Sequence, residues 1–202
     1  MMTLLSAPAS PYSRKVTMTA ILKGLIDSIN IEAIDTSVPA NEALRARNPL
    51  QKIPVLVLAD GTEIYDSRVI CEYLDSLAPA PALLPASGME RFLVLRQAAL
   101  ADGIMDASIL LVYEKRFRPE ELRSESWSAR QQAKIDTALD ILVAAPPTLA
   151  ATPDLGQVGL AAALGYLDFR QEGKWRAGRP RLVAWLDRFA AEVPAYGMTH
   201  PK

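Results

Sequence analysis

The chain has 202 residues, of which 50% are hydrophobic and 22% charged, and its formal net charge is −1. This composition is typical of a globular protein with one or two domains, and it shows no basic block that would indicate nucleic-acid or membrane binding. The N-terminal stretch lacks the order of segments found in a secretory signal, and no apolar run approaches the roughly 20 residues that span a bilayer, so we expect a cytoplasmic location.

The first eighty residues alternate strand and helix signals. Ser10 and Pro11 open the first predicted helix, because serine is a favoured N-cap and proline is favoured at the first helical position. Asp60 and Gly61 form a hairpin signal between two short strands. The predicted elements are a strand at 2–5, a helix from 10 to about 23, a half-buried strand at 29–34, a short irregular helix within 36–51, strands at 55–58 and 62–64, and a helix starting at 66–67. This order is that of the thioredoxin-like arrangement, a parallel βαβ unit followed by an antiparallel hairpin.

A segment rich in proline and small residues divides the sequence. We predict an α/β domain at 1–78, a linker at 79–88 and an all-helical domain at 89–202. The helical domain has apolar periodicity over 89–117, 126–143, 154–169 and 180–192. Asp154 and Gln157 have the spacing of a capping box at the start of the third of these helices. Since that helix is apolar nearly all round, it should be buried.

Two scarce residue types restrict the chemistry. Cys71 is the one cysteine, so the chain has no internal disulfide and no CxxC redox pair. His200 is the one histidine and lies near the C-terminus, which makes a Ser-His-Asp triad or a His-rich metal site a poor interpretation. We therefore predict no metal site. Cys71 lies in an apolar helical stretch, which favours a packed core thiol over a nucleophile.

Four segments resemble those of a known family: SPYSRKV at 10–16, NPLQKIPVL at 48–56, YDS at 65–67 and ALGYLDFR at 163–170. In this order and spacing they resemble cytosolic glutathione transferases, and in particular bacterial members with a serine at the catalytic position. The resemblance implies a thioredoxin-like α/β domain followed by an all-α helical bundle, assembled as a homodimer. It also implies glutathione as a cosubstrate, with no permanently bound cofactor.

The resemblance further implies which residues hold glutathione. A cis bond between Ile53 and Pro54 would leave the backbone groups of Ile53 free to pair with the peptide. Asp66 and Ser67 start a helix and would hold the γ-glutamyl end, although a plain N-cap explains the same pattern. Lys52 would pair with the glycyl carboxylate, or it is a solvated lysine.

The resemblance places Ser10 at the catalytic position, where its hydroxyl would stabilise the bound thiolate. The alternatives are that Ser10 is only an N-cap, or that Tyr12 or Ser13 contacts the sulfur. Asp102 and Asp106 share one face of the long helix. In this interpretation Asp102 reaches the glutathione of the partner subunit, whereas a solvated carboxylate pair is the simpler explanation.

Three functions follow from this set of residues. The first is a glutathione transferase that adds the thiolate to a hydrophobic electrophilic small molecule, bound near Met105, Tyr113 and Tyr166. The second is a glutathione-binding regulatory or interaction protein with little catalysis, since a fold does not determine function. The third is a glutathione-dependent isomerase. Binding to immobilised glutathione, measured together with turnover of an aromatic electrophile, separates the first from the second.

Overall fold

A computed structural model describes residues 1–36 and 41–201. The chain divides into two compact units, one formed by Met1–Arg91 with Pro194–Lys202 and the other by Phe92–Val193. The C-terminal segment is thus grouped with the N-terminal unit. The predicted boundaries at residues 78 and 88 stay a prediction, and the structure divides the chain close to the second of them.

The N-terminal unit contains a four-stranded sheet with the strand order β2-β1-β3-β4. Strands β1 and β2 are parallel, while β1–β3 and β3–β4 are antiparallel. The described strands are β1 (Met2–Ser6), β2 (Ile29–Ala33), β3 (Val55–Val57) and β4 (Glu63–Ile64), and the helices of this unit are α1 (Pro11–Leu22), α2 (Glu42–Arg47) and α3 (Ser67–Ser76). This topology confirms the predicted thioredoxin-like arrangement.

One detail of the predicted sheet is wrong. The alternation of apolar residues in β2 predicts a half-buried strand, yet only Ile29 of that strand is buried and Ile31 is 48% exposed. The reason is its position, because β2 forms the edge of the sheet and pairs with β1 alone. Part of the predicted segment 36–51 lies outside the described residues, and the rest contains α2 as its short helix.

Alternate side chains of the central strands pack on opposite faces of the sheet. Leu5 and Val55 lie opposite each other in the β1–β3 register, and they pack in one cluster with Ile34 and Leu44. Leu4 and Leu56 also form a register pair, and both are fully buried. Because successive side chains of a strand point to opposite faces, this second pair lies on the other side of the sheet.

Helices α1 and α3 pack against each other and run in the same direction. The hydroxyl of Thr19 lies 3.4 Å from the Sγ of Cys71, and one turn further along both helices Lys23 Nζ lies 2.9 Å from Asp75 Oδ1. Matched contacts that advance together along two helices require parallel axes. Cys71 is 2% exposed, which confirms the predicted core thiol.

The segment predicted as the linker is tied to the ends of these helices. Lys23 Nζ also donates to the backbone carbonyls of Ala78 and Pro81, both at 2.6 Å. Asp75 accepts hydrogen bonds from the backbone N–H groups of Leu83 and Leu84. This segment is therefore an anchored part of the N-terminal unit.

The second unit contains the helices predicted from periodicity. The described helices are α4 (Gly88–Phe117, whose first residues belong to the N-terminal unit), α5 (Glu125–Ala144), α6 (Leu155–Gln171) and α7 (Pro180–Glu192), and α8 (Pro194–Met198) follows in the C-terminal segment. Helix α6 is buried from Leu155 to Leu167, as its apolar composition predicts. At its C-terminal end Asp168 accepts hydrogen bonds from Trp175 Nε1 at 2.8 Å and from Arg176 Nη2 at 2.7 Å.

The predicted capping box of α6 is confirmed. The Oδ1 of Asp154 accepts from the backbone N–H of Gln157 at 2.8 Å, and the Gln157 side chain accepts from the backbone N–H of Asp154 at 3.3 Å. Gln157 also donates to the carbonyl oxygen of Thr148 at 2.7 Å. Burial raises the pKa of Asp154, while its hydrogen bonds from the helix backbone lower it. The cap therefore ties the start of α6 to the loop before it.

Close packing of α4 and α6 depends on the absence of a side chain at Gly156. A Cβ atom there would lie 2.9 Å from the Cβ of Gln97 and 3.0 Å from the backbone oxygen of Val94. Gly103, in the middle of α4, shows no such restriction, since nothing lies within 4 Å of an added Cβ. Packing therefore requires a glycine at position 156, whereas it places no such requirement on position 103.

We expect Asp154→Ala to lower the free energy of unfolding by about 1 kcal/mol, the usual cost of a lost N-cap. Asp154→Asn is the matched control and should keep most of the stability, because asparagine caps helices well and burial already disfavours the charged carboxylate. Urea titration of the three proteins at neutral pH measures the difference. Equal midpoints for wild type and Asp154→Ala would contradict the assignment.

Gly156→Ala and Gly103→Ala should have opposite effects. The first forces a methyl group against a helix backbone and should destabilise the protein by about 1–3 kcal/mol. The second adds a better helix former in open space and should stabilise it by up to about 1 kcal/mol. Thermal unfolding of both variants gives the signs, and a stabilising Gly156→Ala would contradict the described packing.

Candidate functional site

Three chain segments meet at one end of the N-terminal unit. Strand β1 ends at Ser6 and leads into α1, and the pairing of Leu5 with Val55 places Pro54 beside that strand end. Because α1 and α3 are parallel, the start of α3 at Ser67 lies at the same end as Ser10. The segments that carry the predicted site residues of this unit are therefore brought together by the fold.

Ser10 caps α1 as predicted. Its backbone is extended, with φ −85° and ψ 122°, and its Oγ accepts from the backbone N–H of Ser13 at 3.2 Å. A hydroxyl that accepts through its oxygen still has its hydrogen to donate. Ser10 is thus a donor at the positive end of a helix of 12 residues.

The two alternative hydroxyls lie in the first turn of the same helix. Ser13 is 2% exposed, and its Oγ has no hydrogen-bond partner among the described residues. Tyr12 is half-buried. The structure therefore brings all three hydroxyls to one turn, and which of them faces a ligand stays a prediction.

The Ile53–Pro54 peptide bond is cis, as the resemblance predicts. Within the described part of the chain, the hydrogen bonds leave the backbone N–H and C=O of Ile53 unused. An extended peptide can pair with such free groups. Lys52, which precedes Ile53, is exposed.

Asn48 is a site-supporting residue to which the sequence analysis gives no role. It is 3% exposed, its Nδ2 donates to the carbonyl of Lys52 at 2.8 Å, and its Oδ1 accepts from the backbone N–H of Leu50 at 3.0 Å. The turn that it holds includes Gln51, which has a left-handed φ of 53°. The signal in the sequence is the Asn-Pro pair, a frequent start of a turn.

Asp66 and Ser67 begin α3. Asp66 is the N-cap, and its Oδ1 accepts from the backbone N–H of Arg68 at 3.0 Å. Ser67 is 3% exposed. Since a helix start attracts anions, the first turn of α3 is suited to a carboxylate, and the Asp66 charge makes a ligand ammonium group favourable beside it.

The C-terminal segment reaches back to the helix that carries these hydroxyls. Arg14 Nη2 donates to the carbonyl of Tyr196 at 2.9 Å, and the Arg14 Cζ lies 4.1 Å from the centre of the Tyr196 ring. No sequence pattern predicts this contact, because the two residues are 182 positions apart. It links the first turns of α1 to α8.

The predicted site residues of the second unit differ in exposure. Asp102 and Met105 are buried, and Asp106 is exposed. Tyr166 is 4% exposed and Tyr113 is 40% exposed. A partner-subunit role for Asp102 would require a side chain buried in its own chain to become accessible, and it stays a prediction together with the pocket residues.

Over residues 1–36 and 41–201, no helix combines the length and apolar character needed to cross a membrane. In the same residues, no group of three or more His, Cys, Asp or Glu side chains is arranged to hold a metal ion.

Comparison with known proteins gives consistent matches. Residues 9–77 match the N-terminal domain of glutathione S-transferases, and residues 125–188 match their C-terminal domain. The chain is 36% identical to the uncharacterised GST-like protein YibF of Escherichia coli, over 99% of this chain and 98% of that protein.

Two solved structures are similar over the full length of both chains. A glutathione transferase family member from Pseudomonas fluorescens Pf-5 with bound glutathione is 40% identical, with a TM-score of 0.91 over 100% of each chain. A glutathione S-transferase from Methylobacillus flagellatus with glutathione bound is 32% identical, with a TM-score of 0.91 and the same coverage.

Proposed function

The chain belongs to the glutathione S-transferase family, and we propose that it binds glutathione and adds the glutathione thiolate to an electrophilic small molecule. The observation that carries this proposal is the meeting of two helix starts and the free backbone of Ile53 at one end of the sheet. Two full-length relatives have glutathione bound, which supports glutathione as the ligand of the same segments here.

In this proposal each end of glutathione has its own partner. The backbone of Ile53 pairs with the extended peptide, and the start of α3 at Ser67 receives the γ-glutamyl carboxylate. Lys52 is exposed and neutralises the glycyl carboxylate. These contacts hold the sulfur beside the first turn of α1.

Ser10 then favours the ionised sulfur. A free thiol has a pKa of about 8.5, so only a few per cent is thiolate at neutral pH. A hydroxyl donor and the helix dipole both stabilise the anion, and each unit by which the thiol pKa falls corresponds to about 1.4 kcal/mol. The sulfur lone pair forms the new bond to the electrophilic carbon, and the thiol proton goes to solvent.

We expect Ser10→Ala to leave glutathione affinity nearly intact and to lower kcat/KM by about tenfold at pH values near 6.5, because one lost charge-assisted hydrogen bond leaves less thiolate. Activity should partly recover as the pH rises, since hydroxide then removes the proton without help. The measurement is the pH profile of kcat/KM with a general aromatic electrophile.

Ser13→Ala and Tyr12→Phe are the matched controls for Ser10→Ala. If one of them loses the low-pH activity while Ser10→Ala follows wild type, a different hydroxyl contacts the sulfur. Retention of glutathione on an affinity column without turnover of any electrophile would favour the regulatory or interaction alternative. Turnover of a cis-trans isomerisation substrate alone would favour the isomerase.

We also propose that the protein is a homodimer. Exposed apolar side chains lie on α3 and at the start of α4, where Val69 is 52%, Leu77 43% and Met89 71% exposed. Exposed apolar groups close together on one unit favour association with a second chain. This extends the family resemblance, in which the N-terminal unit of one subunit packs on the long helices of its partner.

Val69→Asp should shift the protein toward monomer, because a carboxylate would have to be buried in the subunit interface. Leu122→Asp is the matched control, since Leu122 is 64% exposed and lies in the short turn between α4 and α5, outside the N-terminal unit and off the long helices. Sedimentation velocity at micromolar concentration measures both. A wild-type monomer, or a Val69→Asp dimer as stable as wild type, would contradict the proposal.

A further inference from the structure

The C-terminal halves of α4 and α6 each carry two aromatic side chains, and the pair on α6 lies beside an arginine. We call Tyr113, Phe117, Tyr166, Phe169 and Arg170 the aromatic–arginine cluster. The rings of Tyr113 and Phe117 lie 5.1 Å apart. The Arg170 Cζ lies 4.3 Å from the centre of the Phe169 ring and 5.9 Å from that of Tyr166. The cluster thus places a cation against two aromatic rings of one helix.

Side chains of both helices contribute to the electrostatic environment of Tyr166. Burial raises the pKa of Tyr166, and the nearby charge and hydrogen-bonding groups of Arg170 act in the opposite direction. Tyr113 and Arg116, both from α4, also influence the pKa of Tyr166. Side chains of α4 therefore lie within electrostatic range of the α6 phenol.

Arg170 is among the arginines of this unit that have no carboxylate partner in the part of the chain that the structure describes. Across the described residues it forms no ion pair with a carboxylate, and its Nε is buried without a hydrogen-bond partner. By contrast, carboxylates pair with Arg118, Arg176, Arg179 and Arg188. A partly buried guanidinium is costly without an anion, and cation–π contacts offset only part of that cost.

Three rings of the aromatic–arginine cluster are partly accessible, whereas that of Tyr166 is only 4% exposed. Phe117 is 61% exposed, Tyr113 40% and Phe169 37%. The exposed part of an aromatic ring contributes no burial free energy to folding. Core packing therefore does not explain why these three rings are placed at the surface. Accessible rings near a guanidinium that has no carboxylate partner among the described residues are suited to a ligand with an apolar body and an anionic group, which the guanidinium can bind through two parallel hydrogen bonds.

We propose that the aromatic–arginine cluster binds the electrophile, and that Arg170 selects electrophiles with a carboxylate on an aromatic body. This inference rests on the proposed transferase function, which it makes more specific. Tyr113 and Phe169 offer their rings to the aromatic body, while Arg170 binds the carboxylate.

An unsaturated ketone makes the chemistry testable. The thiolate lone pair forms a carbon–sulfur bond at the β-carbon, and the double-bond electrons move to the α-carbon and carbonyl oxygen. The enolate then takes a proton from solvent, which replaces the proton lost by the thiol. No group leaves, and no oxidant or reductant is needed.

The test uses two substrates that share one aromatic enone body, namely the para-carboxy derivative of benzylideneacetone, which carries a negative charge, and its uncharged methyl ester. Wild type should have the higher kcat/KM for the acid after correction for the uncatalysed rates. In Arg170→Gln the ratio of kcat/KM for acid over ester should fall by about tenfold or more, as expected when a charge-assisted hydrogen bond is lost. Arg170→Lys keeps the charge and should give an intermediate ratio.

Two controls separate anion recognition from structural damage. Arg188→Gln removes an exposed arginine on α7 that is paired with Glu192, and it should keep the wild-type ratio. Tyr113→Leu should lower kcat/KM for acid and ester alike, because it removes part of the ring surface and no charge. Circular dichroism and thermal melting verify that each variant is folded.

A binding measurement keeps this inference distinguishable from the proposed function. The saturated analogue of the acid cannot react, so calorimetry with it requires no catalysis. If neither substrate turns over but the analogue binds wild type and binds Arg170→Gln about tenfold more weakly, the transferase proposal fails and the carboxylate site stands. An unchanged acid-to-ester ratio in Arg170→Gln, or equal binding of the analogue by the two proteins, would overturn the inference.

Discussion

The buried ion pair of Lys23 and Asp75 is the interaction on which the candidate site depends. The Lys23 side chain is fully buried, and its three donors are used by Asp75 and by the carbonyls of Ala78 and Pro81. Both oxygens of Asp75 are used in turn, since they also accept from the backbone N–H groups that follow. Such a pair is stabilising only when complete, because removing one partner leaves a buried charge that costs about 3–5 kcal/mol.

This pair holds the C-terminal ends of two parallel helices whose other ends form the site. Ser10 begins one helix and Ser67 begins the other, so the distance between the two helix starts follows from how the helices pack along their length. A ligand bound at these starts meets backbone N–H groups, a hydroxyl and two helix dipoles that are already oriented. Preorganised donors of this kind stabilise an anion without reorganising as the anion forms.

The second unit carries the cluster to which we assign the recognition of a carboxylate. Its buried helix α6 is capped by Asp154 at one end and held by Asp168 at the other, so that the side chains of its last turns have a rigid base. Arg170 lies in those turns, beside the buried ring of Tyr166 and the partly exposed ring of Phe169.

Local chemistry in the sequence was sufficient to predict much of this protein. Ser10 with Pro11 and Asp154 with Gln157 predict helix starts because a cap depends on residues only three or four positions apart. The strand and helix order predicts the thioredoxin-like sheet, and the four segments carry a family resemblance that in turn implies the cis bond at Pro54. The exposure of β2 was not predictable in this way, because alternation cannot show whether a strand has a neighbour on both sides.

Only the tertiary structure decided which distant residues became partners. From the sequence, Lys23 lies at a predicted helix end, yet in the structure it anchors Asp75 and the linker. Arg14 lies within a predicted helix, yet it binds Tyr196 near the opposite end of the chain. That Arg170 has no carboxylate partner within residues 1–36 and 41–201 is likewise a result of packing, since such a partner could have come from any neighbouring helix. Backbone propensity and capping are local and can be read from the order of residues, whereas the pairing of charges depends on which surfaces the fold brings together.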